Sequence, residues 1–137
     1  NTQQQKKNKI FYKKKDGCGN INPRFCYLRK INKILIATTK SKVDEEIINF
    51  LNKKKIPFFR GSEKNVLDRY YRASVKFKAD NVIRITSDCP LISHDFIDEH
   101  IEVFEKKKLD VVSSYLSKSF PIGISISVCK FKILERA

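Results

Sequence analysis

The chain has 137 residues, 41% of them hydrophobic and 11% aromatic, with ten Phe and five Tyr. That length supports one core burying roughly two-thirds of the unfolded surface, not two, and the composition excludes a wholly disordered or collagen-like chain. The net charge of +14 is lopsided: residues 1–40 carry 11 basic side chains against one acidic, and residues 41–137 carry 18 against 14.

Residues 1–29 sustain neither a helical nor a strand period and are rich in Lys, Asn and Gln around Gly17, Gly19 and Pro23, so a basic, poorly ordered segment is expected there. Residues 30–137 read as one α/β domain. Ile34, Leu35, Ile36 and Ala37 form a short continuous apolar run ending in Thr38 and Thr39, the signature of a strand buried on both faces. A helix follows, with Asp44, Glu45 and Glu46 in its first turn, an apolar face of Val43, Ile47, Ile48 and Leu51, and three lysines at 53–55, charges that suit the helix dipole at both ends. A second strand spans 56–59, with Pro57 near its start and a turn at Arg60, Gly61 and Ser62. A second helix is expected over 65–78, a third strand over 82–86, and then a helix capped by Ser93 that buries Phe96, Ile97, Ile101 and Phe104. Val111, Val112 and the alternating stretch 124–128 are further strands. Helices between strands imply crossovers, hence a sheet with a parallel portion.

No apolar run reaches the about 18 residues of a transmembrane helix, and the N-terminus lacks the apolar block of a secretion signal, so a cytoplasmic location is expected. Cys18, Cys26, Cys89 and Cys129 show no C-x-x-C pair and no zinc spacing with His94 or His100, which points to reduced thiols. Met is absent even at position 1, which reads as a start other than a natural initiation site. The lysine triplets at 53–55 and 106–108 read as solvated helix ends, and the aromatic residues at helix or strand spacing as core.

Ligands in open α/β sheets bind beyond the carboxyl ends of the parallel strands. The residues there are polar: Thr38 and Thr39 offer hydroxyls, Arg60 a cation, Ser62 a loop hydroxyl, and Ser87 and Asp88 a hydroxyl beside a carboxylate. The set suits a phosphorylated ligand, with Asp88 as a ligand for Mg²⁺. The plainer alternative is that Asp88 caps a turn before Pro90 and that Arg60 is a solvated loop charge.

Three separated runs carry a resemblance: Ile36-Ala37-Thr38-Thr39, then Phe59-Arg60-Gly61-Ser62-Glu63 leading into Val66-Leu67-Asp68-Arg69-Tyr70-Tyr71, then Arg84-Ile85-Thr86-Ser87-Asp88-Cys89-Pro90-Leu91-Ile92. In order and spacing they resemble the spore coat polysaccharide biosynthesis protein F family, cytidylyltransferases related to the CMP-sialic acid and CMP-KDO synthetases. The resemblance implies a Rossmann-like nucleotide-diphospho-sugar transferase fold, a mostly parallel sheet with flanking helices, incomplete at both ends. It implies a reaction in which a sugar hydroxyl attacks the α-phosphate of CTP, giving a CMP-sugar and pyrophosphate for surface polysaccharide or glycan synthesis. Asp88 occupies the family's Mg²⁺-binding position, and Ser62 with the Asp68-Arg69 pair matches the segment bordering base and ribose. The partners implied are CTP and a sugar, with a homodimer as the candidate assembly and neither membrane nor nucleic acid.

The departures are specific. The family opens with a strand and a Gly-Ser-Arg loop followed by Lys that cradles the triphosphate; nothing in residues 1–29 reproduces it, so a central strand and phosphate ligands are expected to be missing. Where the family tends to read Asp-Gly-Leu-Asp-Val-Glu-Val, this chain has Ile122-Gly123-Ile124-Ser125-Ile126-Ser127-Val128, with three acidic positions lost. A catalytically silent or weak copy follows as an expectation, with residues 1–29 either native sequence or a product of frameshift or truncation, two alternatives that the sequence leaves open. The rival reading is a nucleic-acid-binding module built on the basic N-terminal region, to be recognised by salt-sensitive DNA retention.

Overall fold

A computed structural model describes residues 30–86, 89, 92–115 and 123–137. Strand β1 (Ile36–Thr39) is followed by a 3-10 turn (Lys42–Asp44) that runs directly into helix α1 (Glu45–Lys53). Strand β2 (Phe58–Gly61), helix α2 (Val66–Lys76) and strand β3 (Asn81–Ile85) come next. Helix α3 (His94–Lys106), strands β4 (Val111–Ser113) and β5 (Ile126–Lys130), and helix α4 (Phe131–Arg136) complete the described chain.

Local chemistry explains the boundaries. The Asn65 side chain accepts from the Asp68 amide at 2.9 Å and starts α2, and the Ser93 hydroxyl accepts from the Phe96 amide at 3.2 Å and starts α3, the cap expected for Ser93. The first three helices all stop at a lysine in the left-handed region, Lys55 (φ 54°), Lys78 (φ 50°) and Lys108 (φ 51°). Beyond each, the chain folds back so that the amides of Ile56, Ala79 and Leu109 bond the carbonyls of Leu51, Ser74 and Phe104. The lysine triplets at 53–55 and 106–108 are exposed helix ends, as expected. Among the described residues no helix is long and apolar enough to cross a membrane.

The α/β class with flanking helices holds. β1 and β2 pair in parallel, Thr38 beside Arg60 and Thr39 beside Gly61. The expectation of a mostly parallel sheet is corrected for β5. It lies between β3 and β4 and pairs antiparallel with both, so β3 and β4 run the same way but their ladders are antiparallel. The reason is in its pattern: Ile126 and Val128 are buried, while Ser127 and Cys129 between and beyond them are less so. Such alternation is typical of antiparallel strands.

Two apolar clusters sandwich one strand layer. Leu35, Ala37 and Val82 pack with Tyr70 and Ala73 of α2 and Leu134 of α4. Ile34, Ile83, Ile85, Ile126 and Val128 pack with Ile97, Ile101 and Phe104 of α3. The layer is nevertheless divided, since β1 and β3 are not hydrogen-bonded to each other. The amides of Ile36 and Lys40 point toward β2, which turns those of Leu35 and Ala37 to the other edge. On β3, the bond from the Phe131 amide to the Asp80 carbonyl sets the even residues toward β5 and turns Ile83 and Ile85 outward. The seam is therefore crossed by side chains, Leu35 and Ala37 to Val82 on one face and Ile34 to Ile83 and Ile85 on the other.

Candidate functional site

Parallel pairing places the carboxyl ends of β1 and β2 side by side, so the 39–41 and 61–62 loops form one rim. The amide of Lys40 donates to the Gly61 carbonyl at 3.2 Å and carries the pairing into the loop. Arg60 braces the rim from beneath: Nε donates to the Thr39 carbonyl at 3.1 Å, Nη2 to the Ser41 carbonyl at 3.3 Å, and Nη2 pairs with Glu45 at 2.6 Å. This answers the solvated-charge alternative, because Arg60 links β2 to the loop after β1 and to the start of α1.

Thr38 and Thr39 both turn to Asp44. Oδ2 of Asp44 accepts from Thr38 Oγ1 at 2.5 Å, from the Thr39 amide at 2.9 Å and from Thr39 Oγ1 at 2.7 Å. Thr39 Oγ1 in turn accepts from the Ser41 amide at 3.1 Å. Thr38 is 1% exposed, so its hydroxyl serves the interior of the loop. Asp44 is the functional-end residue that sequence reasoning placed only in a helix first turn. The signal was there: two hydroxyl residues end a strand, and a carboxylate five and six positions later re-enters the same end at the start of a helix.

Across the rim, Ser62 Oγ accepts from the Asn65 amide at 2.9 Å and its carbonyl accepts from Arg69 Nη1 at 2.5 Å. Arg69 is 2% exposed and crosses Gly61, where a Cβ would come 2.6 Å from Arg69 Cγ; glycine leaves room for the aliphatic stem of Arg69. Its Nε has no hydrogen-bond partner among the described residues. Burial pulls the Arg69 pKa below the ordinary guanidinium value, opposed first by Asp44 and then by Glu63. Asp68 points elsewhere, pairing with Arg72 one turn along α2 at 2.7 Å.

Thr38, Thr39, Arg60, Ser62 and Arg69 thus come together at one end of β1 and β2, and Asp68 sits one residue before Arg69 on α2 with its carboxylate directed along the helix. Ser87 and Asp88 lie outside the described residues, as does the segment 1–29. Cys89 packs in the α3-side cluster at 5% exposure and accepts from the Ser125 amide at 3.3 Å, in keeping with a thiol packed behind the loop. Among the described residues no group of three or more His, Cys, Asp or Glu side chains is arranged to hold a metal ion. Asp44 Oδ2 is taken by three donors and Glu45 pairs with Arg60. The described part of the rim does not by itself make a Mg²⁺ site.

Helices flanking strands and a polar rim at the carboxyl ends of a parallel pair define an α/β protein whose polar groups gather where open α/β sheets bind their ligands. A family model described as cytidylyltransferase matches residues 26–133, and the chain belongs to that family. An uncharacterized protein of Methanocaldococcus jannaschii is 39% identical over 133 residues, covering 96% of this chain and 54% of that protein. Spore coat polysaccharide biosynthesis protein SpsF of Bacillus subtilis is 28% identical over 108 residues, 79% of this chain and 44% of that protein. A solved cytidylyltransferase from Leptospira borgpetersenii serovar Hardjo-bovis superposes with a TM-score of 0.76 at 23% identity, over 82% of this chain and 48% of that chain, which shows a shared fold. The chain spans about half the length of the curated relatives it matches.

Proposed function

We propose that this chain forms part of a nucleotidyltransferase that activates a sugar as its CMP derivative for surface polysaccharide or glycan synthesis, with CTP bound over the rim of β1 and β2. The observation that carries the reading is the convergence of Arg60, Ser62 and the 39–41 loop at the carboxyl ends of two parallel strands, in a chain of the cytidylyltransferase family. Ser62 and Arg69 border the nucleotide, Arg60 holds the loop it lies on, and Ser87 with Asp88 extends the site. Asp88 is the proposed Mg²⁺ ligand, and the ion would supply charge neutralisation on the triphosphate. The protein's part is positioning for in-line attack by the sugar hydroxyl and stabilisation of phosphate charge.

CTP with Mg²⁺ should raise the melting temperature of the chain, since a ligand bound only to the folded state stabilises it by mass action, and GTP should do so less. Asp88→Asn should weaken CTP binding only when Mg²⁺ is present. Pyrophosphate release with CTP and a panel of acidic sugars should be weak or undetectable, because Ile122, Ser125 and Ser127 stand where the family tends to carry carboxylates, and losing preorganised charge at a reacting centre costs about a hundredfold or more in rate. No thermal shift with CTP overturns the nucleotide site, and release at a rate typical of intact enzymes overturns the expected silence.

A further inference from the structure

Positive charge gathers at the amino end of the strand layer, opposite the rim. The Ile36 amide bonds the Pro57 carbonyl, so the loop 53–55 lies beside the amino end of β1. Lys33, just before β1, sits 4.6 Å over the Phe77 ring in the turn before β3, and Lys30 pairs with Glu105 at the end of α3. Lys130 and Lys132 both pair with Asp110, just before β4, at 2.7 and 3.1 Å. With Lys76, Lys78 and the triplets at 53–55 and 106–108, this end holds twelve lysines against five carboxylates, Asp80, Glu102, Glu105, Asp110 and Glu135. The rest of the described residues carry eight basic and eight acidic side chains, so the whole surplus of seven positive charges belongs to this face.

Part of that charge serves the fold. Helices α1, α2 and α3 all end here, and a helix carboxyl end carries about half a negative charge, so the three together offset less than about two of the seven. The lysines at 53–55, 78, 107 and 108 are exposed and make no ion pair among the described residues. Exposed apolar side chains flank them: Phe50 (54%), Val75 (50%) and Val111 (47%) each lie within three residues of a lysine cluster. Ammonium groups interleaved with apolar side chains suit the headgroup layer of an anionic membrane, which draws lysine by charge and accepts apolar groups at its boundary. Nucleic acid fits less well. The twelve cations include no arginine fork for a base edge, and Phe77 is already covered by Lys33 and Lys76.

We propose that the amino end of the strand layer is a peripheral docking face for an anionic lipid surface. This departs from the expectation of no membrane partner, and it needs no spanning helix. Docked in this way, the chain turns the carboxyl ends of β1 and β2, with the rim they carry, toward solvent. The proposal stands whether or not the rim binds CTP.

The test is sedimentation of the full chain with vesicles of phosphatidylcholine alone or with about one-third phosphatidylglycerol. Binding is expected to the anionic vesicles only, and to weaken as salt rises. Near such a surface each lysine contributes about fivefold, so Lys106→Gln, Lys107→Gln and Lys108→Gln together should weaken partition about tenfold or more. Lys40→Gln, Lys42→Gln and Lys64→Gln together remove the same charge at the rim end and should change partition less than about twofold. All six lysines are exposed, so both triple variants should melt with the unaltered chain; should the first not fold, the triplet at 53–55 takes its place. No binding to anionic vesicles, or equal losses from the two ends, overturns the proposal, the second because net charge alone would then suffice. Release from the vesicles by a short DNA duplex at equal phosphate concentration overturns it as well and gives the face to nucleic acid.

Discussion

Replacing Gly61 by Ala probes how closely α2 rides on β2. A Cβ at position 61 would lie 2.6 Å from Arg69 Cγ, 2.9 Å from Phe59 Cε1 and 3.0 Å from Arg69 Cβ. Carbon atoms pack best at about 3.5–4.0 Å, so each of these contacts is short by about half an ångström or more. Rotating the Arg69 side chain relieves the first of them, but Arg69 Cβ is fixed to α2 and can yield only if the helix and strand part. Overpacking of this kind costs about 1–3 kcal/mol, while Ala gains about 0.4–1 kcal/mol by restricting the unfolded chain, leaving a net loss of about 1–2 kcal/mol. The backbone itself accepts Ala, because among the glycines of the described residues only Gly123 has a positive φ. Urea denaturation of Gly61→Ala should show this loss, and only the part due to Cγ should vanish in an Arg69→Ala background, where the Cβ at position 69 and the Phe59 ring remain. Wild-type stability in Gly61→Ala, or an undiminished loss beside Arg69→Ala, would refute the packing argument.

Lys78→Gly should stabilise the chain by about 0.5–1 kcal/mol in thermal unfolding, since glycine adopts the left-handed φ of a helix end without a Cβ penalty; a loss of stability would count against that geometry. Asn65→Ala should cost about 1 kcal/mol by leaving the Asp68 amide uncapped, whereas Asn65→Asp should cost less. Burial pushes the Cys129 thiol up to about 11. The folded state therefore favours the neutral thiol, so this contribution to stability is whole below the ordinary thiol pKa and is lost as pH rises toward the raised value. At pH 8.5, alkylation mapped to Cys129 by mass spectrometry should be about a hundredfold slower in the folded chain than in urea, and equal rates would contradict the burial.

What was legible in the sequence is what local chemistry controls. Ser93 announces its helix because the cap and the amide it serves are three residues apart, and the apolar run before Thr38 announces a strand buried on both faces. Arg60 and Ser62 were placed because residues beyond parallel strands share an end whatever the packing. The direction of β5 was not read, although Ile126 and Val128 alternating with Ser127 carried it, since alternation reports one face and the partner's direction must be inferred. The inward turn of Thr38 and Thr39 depends on Asp44 arriving after a 3-10 turn, a meeting that neither period nor propensity encodes. Arg69 was singled out by motif alone. That its stem lies over Gly61 follows from the approach of α2 to β2, which only three dimensions reveal.

The divided strand layer has a mechanical consequence. A ladder of backbone hydrogen bonds resists shear collectively, because its bonds must fail together, whereas side-chain contacts let go one after another. No such ladder joins β1 to β3 among the described residues, so the β1–β2 unit and the β3–β5–β4 unit adhere across a line of lower rigidity, while α2 and α4 span it on one face. Under tension between position 30 and position 137, the molecule should part first along that line, with each unit retaining its own ladders as it separates.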